Sequence, residues 1–95
     1  SPFGPDNQKP VFCSLGVKDY GTSKLVGKEL EHLKLELIDG NSSTPMHAIA
    51  FGMHRHNDHI KGMKPFNICY TVEENTYNGN TSLQLMVKDI KENDI

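Results

Sequence analysis

Three imidazoles fall within one short run, His54-Arg55-His56-Asn57-Asp58-His59, and His47 lies shortly upstream. Imidazole is a ligand for zinc and other transition metals, so metal chemistry in this chain would have to sit here. If the run is helical, His56 and His59 share one side and His54 lies elsewhere. No cysteine is near, and the spacing matches no closed zinc pattern. His54, His56 and His59 are therefore weak metal candidates. The run reads instead as a solvated polar turn that gains positive charge below about pH 6.5. Cys13 and Cys69 are isolated in sequence, and neither has a base placed beside it by spacing, as a nucleophile requires. They read as a buried pair of thiols in a reduced compartment rather than a disulfide. Glu73 and Glu74 are adjacent on an expected strand and point to opposite faces, so they are no acid–base pair. With Asp89 they read as solvated strand charges. Gly16, Gly21 and Gly27 fit neither a dinucleotide nor a phosphate-binding loop. No pattern in the chain has the form of an active site.

A binding surface is better supplied. Lysines that track phosphates and an aromatic that stacks a base are the ingredients of single-strand recognition. Lys18, Tyr20, Lys24 and Lys28 fall in and around a first loop. His32 and Lys34 lie on the outward side of an expected second strand, Arg55, Lys61 and Lys64 flank the imidazole run, and Tyr77 and Asn78 occupy a last hairpin. The competing reading is that scattered lysines solubilise any surface and that Tyr77 packs its own hairpin. Ten Lys and Arg against twelve Asp and Glu give a net charge of −2 with histidine neutral. The balance is −1 in residues 1–48, +2 in 49–72 and −3 in 73–95. That excludes a strongly basic nucleic-acid module and allows a local, salt-sensitive contact.

These side chains need a scaffold, and 95 residues supply one domain. The regular spacing of apolar residues and the balanced charge exclude disorder. No apolar run reaches membrane-spanning length. Two cysteines make no disulfide framework, no signal peptide is visible, and a reducing, cytoplasmic setting follows. The chain opens Ser1-Pro2 rather than with Met, and so reads as a piece of a longer protein.

Along the chain, residues 1–10 read as an extended arm rich in Pro, Gly, Asp and Asn, and residues 11–95 as the folded domain. Val11, Cys13, Leu15 and Val17 alternate as one face of a first strand, with a bulge or bend at Gly16. Residues 19–27 read as a loop or hairpin. Leu33, Leu35 and Leu37 alternate as the core face of a second strand. The turn cluster 39–45 follows, and then a short strand 46–51 with Ile49 and Phe51 inward. Between Gly52 and Pro65 one or two helical turns fit, capped by Asn57 or Asp58. Phe66, Ile68, Tyr70 and Val72 mark a fourth strand, and Asn78-Gly79 signals a tight hairpin. Leu83, Leu85 and Val87 line a fifth strand, and 91–95 read as a frayed tail. Five strands with one short helix between the third and fourth is the order of an OB-fold, an all-β, five-stranded Greek-key barrel. An open sandwich or an SH3-like barrel fits the strand count, but the helix position favours the OB-fold.

Several of these segments resemble one family, and in the family's order. Tyr70-Thr71-Val72-Glu73-Glu74-Asn75-Thr76-Tyr77-Asn78-Gly79 followed by Leu83-Gln84-Leu85-Met86-Val87-Lys88-Asp89-Ile90 is similar to the C-terminal signature of the RecJ single-stranded-DNA exonucleases. Ala48-Ile49-Ala50-Phe51-Gly52-Met53 resembles the family's third strand, and His32-Leu33-Lys34-Leu35 its second. Pro2-Phe3-Gly4-Pro5-Asp6-Asn7, with Pro10-Val11-Phe12, resembles the family's connector out of its DHHA1 domain. The chain departs from the family pattern at Asp6, where Gly is usual, at Gln8, where Pro is usual, and at Tyr77, where Trp is usual. The resemblance covers only the family's OB domain. It implies a role in holding single-stranded DNA for a 5′→3′ exonuclease of recombination and repair in the bacterial cytoplasm. It implies partners in the upstream DHH and DHHA1 nuclease domains and in single-strand-binding protein, and no membrane. The Mn or Mg centre that the resemblance implies belongs to the DHH phosphoesterase domain. Asp58-His59-Ile60 is not that motif, and catalytic residues are expected to be absent from this chain.

Overall fold

The computed structural model describes residues 9–40 and 42–93; the first eight residues of the expected arm lie outside them. Six strands are present: β1 Phe12–Asp19, β2 Lys24–Val26, β3 His32–Ile38, β4 Met46–Ala50, β5 Phe66–Tyr77 and β6 Asn80–Glu92. A 3₁₀ turn His54–His56 and the short helix α1 Asn57–Lys61 stand between β4 and β5. The sheet runs β1-β5-β6-β4-β3-β2, and β1 also pairs with β3, so it closes on itself. Closure leaves few of the free edges that an open sheet of this size would present.

Six strands rather than five arise because the first strand is interrupted. Lys18 and Asp19 oppose Ile38 and Leu37, and Lys24 then opposes Lys34. Tyr20–Ser23 thus bulge out opposite only Leu35 and Glu36. The bulge satisfies the backbone it displaces: Tyr20 N–H donates to the Glu36 carbonyl at 2.8 Å, and Glu36 N–H donates to the Ser23 hydroxyl at 3.0 Å. Taken as one interrupted strand, β1 and β2 reduce the molecule to the five-stranded OB-fold, with the helix between its third and fourth strands. Among the described residues β4 and β6 make the one parallel pairing, which completes the Greek key.

Leu33, Leu35, Leu37, Phe66, Ile68 and Ile60 are fully or almost fully buried and fill the barrel. The three leucines alternate inward on β3 as their spacing predicts. Three other faces differ from expectation. In β5 the ladder with β6 slips between Cys69 and Tyr70, so that Thr71 is buried and Val72, expected inward, is exposed. In β1 only Val17 of the alternating set is buried, whereas Val11 and Leu15 are exposed. Gly16 adopts φ 68°, and the register with β5 slips between Ser14 and Val17. The bulge at Gly16 inverts the alternation, so that half-buried Ser14, opposite Ile68, takes the side of Val17, while Leu15 turns out and Phe12 stays exposed. In β4 the inward residues are Ala48 and Ala50, not Ile49 and Phe51, and Phe51 is 54% exposed. The partners explain the reversal: Ala50 faces Leu33 and Ala48 faces Leu35. Large residues on one strand leave room only for methyl groups on the next.

The imidazole run is not a solvated turn throughout. Ile60 is fully buried, and the His56 and His59 side chains are only 12% and 7% exposed. Neither Asn57 nor Asp58 caps the helix; His56 holds the N-cap position and makes no side-chain cap bond. Of the stretch 91–95 expected to fray, Lys91 and Glu92 belong to β6, and residues 94–95 lie outside the described residues. Asn78 and Gly79 take φ 51° and 80°, the signature of the two-residue turn that their pairing predicts.

Candidate nucleic-acid interface

The outward side of β3 and β4 carries three cross-strand rows. Lys34 stands opposite Ile49 and Glu36 opposite His47. His32 meets the ring of Phe51, just beyond β4, edge-on at a centroid distance of 5.0 Å. Lys24 on β2 extends the middle row, directly opposite Lys34. Neither lysine has an ion-pair partner among the described residues, where Lys9 and Lys61 are the paired lysines. Two like charges in direct register repel by a few tenths of a kcal/mol to about 1 kcal/mol. The pair offers a polyanion a place where binding relieves repulsion.

A groove of about 330 Å³ lies between this face and the β5–β6 hairpin, lined by Lys34, His47, Asn75, Ser82, Leu83 and Gln84 among others. The Asn75 amide donates to the Gln84 side-chain carbonyl at 2.8 Å, which fixes two amide groups on the hairpin side. A second, more apolar groove of about 300 Å³ adjoins it at His47 and Leu83 and includes Met46, Tyr70, Val72 and Leu85.

The residues nominated from sequence divide sharply. Lys24 and Lys34 come together on the outward face. His32 lies there too, but its Nδ1 accepts the Gly52 N–H at 2.8 Å, which holds the ring against Phe51. Lys18 lines a separate recess with Gly16, Ile38 and Gly40. Tyr20 is half exposed on the bulge, and Lys28 and Arg55 are exposed. Tyr77 is 78% exposed at the hairpin end, beside the turn residue Asn78. Lys61 is tied down: its Nζ donates to the Ser23 carbonyl at 2.7 Å and to Asp19 Oδ2 at 3.4 Å. Sequence reasoning missed Phe51, His47, Asn75 and Gln84. The exposed Phe51 was hidden by the assignment of β4's inward face, and a count of side-chain volumes across the β3–β4 ladder would have revealed it.

Two polar clusters shape the scaffold rather than the groove. Asp19 is fully buried. Burial alone pushes its carboxyl up, but hydrogen bonds from Ser23 and Gly21, with the Lys61 charge, hold it below the ordinary value. At the helix end, His56 Nδ1–H donates to Glu92 Oε2 at 2.7 Å, and His59 Nδ1 lies 3.5 Å from Oε1. His59 Nε2–H donates to the Pro65 carbonyl at 2.9 Å. The His56 hydrogen bond, with the nearby His59 and Lys64, holds the Glu92 carboxyl below the ordinary range against the opposing effect of burial. His54 turns away to the Glu31 carbonyl at 3.3 Å. Among the described residues no group of three His, Cys, Asp or Glu side chains is arranged to hold a metal ion.

The family model described as the RecJ OB domain matches residues 1–89. The chain belongs to the RecJ OB domain family. No curated protein matches it. Membership accounts for the OB-type barrel topology. Among the described residues no helix is long and apolar enough to cross a membrane.

Proposed function

We propose that this RecJ-type OB domain binds single-stranded DNA across the outward face of β3 and β4. The observation that carries the reading is the facing pair Lys24 and Lys34, without ion-pair partners among the described residues and near the exposed ring of Phe51. Lysine ammonium groups take successive phosphates, the Phe51 ring stacks a base, and the hairpin amides of Asn75 and Gln84 line the far wall. A groove closed on one side by a hairpin favours a single strand over a duplex on steric grounds. In the whole protein this domain guides the strand to metal-dependent catalysis, with Mn or Mg, in DHH and DHHA1 domains. That protein is a 5′→3′ single-stranded-DNA exonuclease of recombination and repair, with single-strand-binding protein as a further partner.

The test is a titration of labelled single-stranded and duplex oligonucleotides against the chain across a salt series. Single-strand binding at low salt that weakens with added salt is the expected outcome. No binding at low salt, or equal affinity for duplex, overturns it. The adjoining apolar groove, with Leu83 64% exposed, favours a second reading, in which the barrel braces the nuclease domains. Restored nuclease activity on adding the domain to the nuclease core, without measurable DNA binding by the domain, selects that reading.

A further inference from the structure

Cys13 and Cys69 are free thiols, and the nucleic-acid reading makes no use of them. They are direct register partners on β1 and β5, and their Sγ atoms lie 2.8 Å apart. The sequence led us to expect a buried pair; instead Cys13 is exposed and Cys69 is half-buried. The bulge at Gly16 is the cause, because it turns Cys13 to the outer surface. Directly opposed residues on antiparallel strands have Cα atoms about 4.5–5.5 Å apart, inside the separation a disulfide spans without backbone movement. The two sulfurs have a division of labour. The hydrogen bond with Cys13, then burial, then the charges of Cys13 and Asp89 push the Cys69 thiol up, so it keeps its proton. Cys13 is the sulfur that a reagent in solution can reach.

We propose that Cys13 and Cys69 form a reversible dithiol–disulfide modification site on the barrel surface, oxidised by low-molecular-weight disulfides such as glutathione disulfide. The Cys13 thiolate attacks one sulfur of the small disulfide and expels the other half as a thiolate, leaving a mixed disulfide on Cys13. That thiolate takes the Cys69 proton. The Cys69 sulfur then attacks the Cys13 sulfur and expels the second half of the reagent, which leaves as a thiol once it takes a proton from solvent. Two protein thiols and one small disulfide become one protein disulfide and two small thiols. In a reducing cytoplasm the pair stays reduced, and the bond forms when the thiol pool is oxidised. The bond staples β1 to its sheet neighbour β5.

The experiment equilibrates the 95-residue chain in glutathione buffers from fully reduced to fully oxidised, quenches in acid, and reads intact mass and peptide maps. The expected product is a monomer lighter by two hydrogen atoms, with a Cys13–Cys69 linked peptide that excess thiol reverses. Cys69→Ser then accumulates a single glutathione adduct at Cys13, and Cys13→Ser reacts more slowly than Cys69→Ser. Wild-type chain that instead carries stable glutathione adducts without the internal bond, or that links only between two chains, overturns the proposal.

Discussion

At the residue scale, the proposed interface rests on a few side chains whose environments are distinct. Phe51 is held by an edge contact to His32 but is otherwise open, which is the state of an aromatic that can accept a stacked base. Base–aromatic stacking is worth about 1–3 kcal/mol per base. Phe51→Ala is therefore expected to weaken single-strand binding roughly 5- to 150-fold. The same change removes little from the core, so the thermal midpoint should stay within a few degrees. Binding that survives Phe51→Ala unchanged would move the stacking site to Tyr77 or Tyr20. Lys61 makes the opposite prediction. Its ammonium covers the buried Asp19 and holds the Ser23 carbonyl, although its own side chain is 42% exposed. Lys61→Met should cost about 1–2 kcal/mol of stability, reduced from the value of a fully buried charged hydrogen bond by solvent screening. It should leave DNA affinity nearly unchanged; urea unfolding read beside the oligonucleotide titration checks both halves.

At the scale of elements, legibility followed the periodicity of large apolar residues. β3 and the start of β5 were readable because leucine, phenylalanine and isoleucine alternate there without interruption. The hairpin was readable because Asn78 and Gly79 both tolerate the left-handed backbone that its turn requires. β1 and β4 were misread for two different physical reasons. A single bulge at Gly16 shifts the parity of every residue before it. In β4 the volumes of residues on the neighbouring strand, not hydrophobicity, decide which face turns in. The same blindness to partners hid most of the proposed site, since His47 comes beside Lys34 through the β3–β4 ladder and Asn75 and Gln84 through the pairing of the β5–β6 hairpin with β4. It also hid the role of the imidazole run. His56 and His59 fasten the helical segment to the last strand through Glu92. The Glu92 carboxyl is held below its ordinary value in the folded chain, so its contribution is complete above the unfolded value, near pH 4.3, and is lost as pH falls through the lower folded value. Stability should therefore decline on acidification below about pH 4.5, and Glu92→Gln should flatten that decline while lowering stability near neutrality. Unfolding curves from pH 3 to 7 check the sign; an unchanged acid limb in Glu92→Gln would move the acid sensitivity to another carboxylate, with Asp19 the first candidate.

At the scale of the whole molecule, a net charge of −2 and a cationic row on one face have to be reconciled. Long-range attraction cannot bring DNA to a slightly acidic barrel, and the C-terminal stretch 73–95 carries a local charge of −3. In the proposed mode, binding comes from short-range contacts on the outward face, where Lys24 and Lys34 have no acidic partners among the described residues and Glu36 is engaged by Thr22 and His47. Each neutralised phosphate on a single strand contributes a slope of about −0.7 to the dependence of log affinity on log salt. Two lysines therefore predict a slope of about −1 to −2, much shallower than that of a basic groove. Removing one lysine should reduce the slope by about 0.7 and leave the salt-independent part, the stacking on Phe51, in place. Lys34→Ala is the informative variant because Lys34 belongs both to the row and to the groove wall. A slope steeper than about −4 for the wild-type chain would mean that lysines beyond this face, Lys18, Lys28 and Lys64 among them, also track the strand. The binding surface would then have to wrap the barrel instead of crossing it.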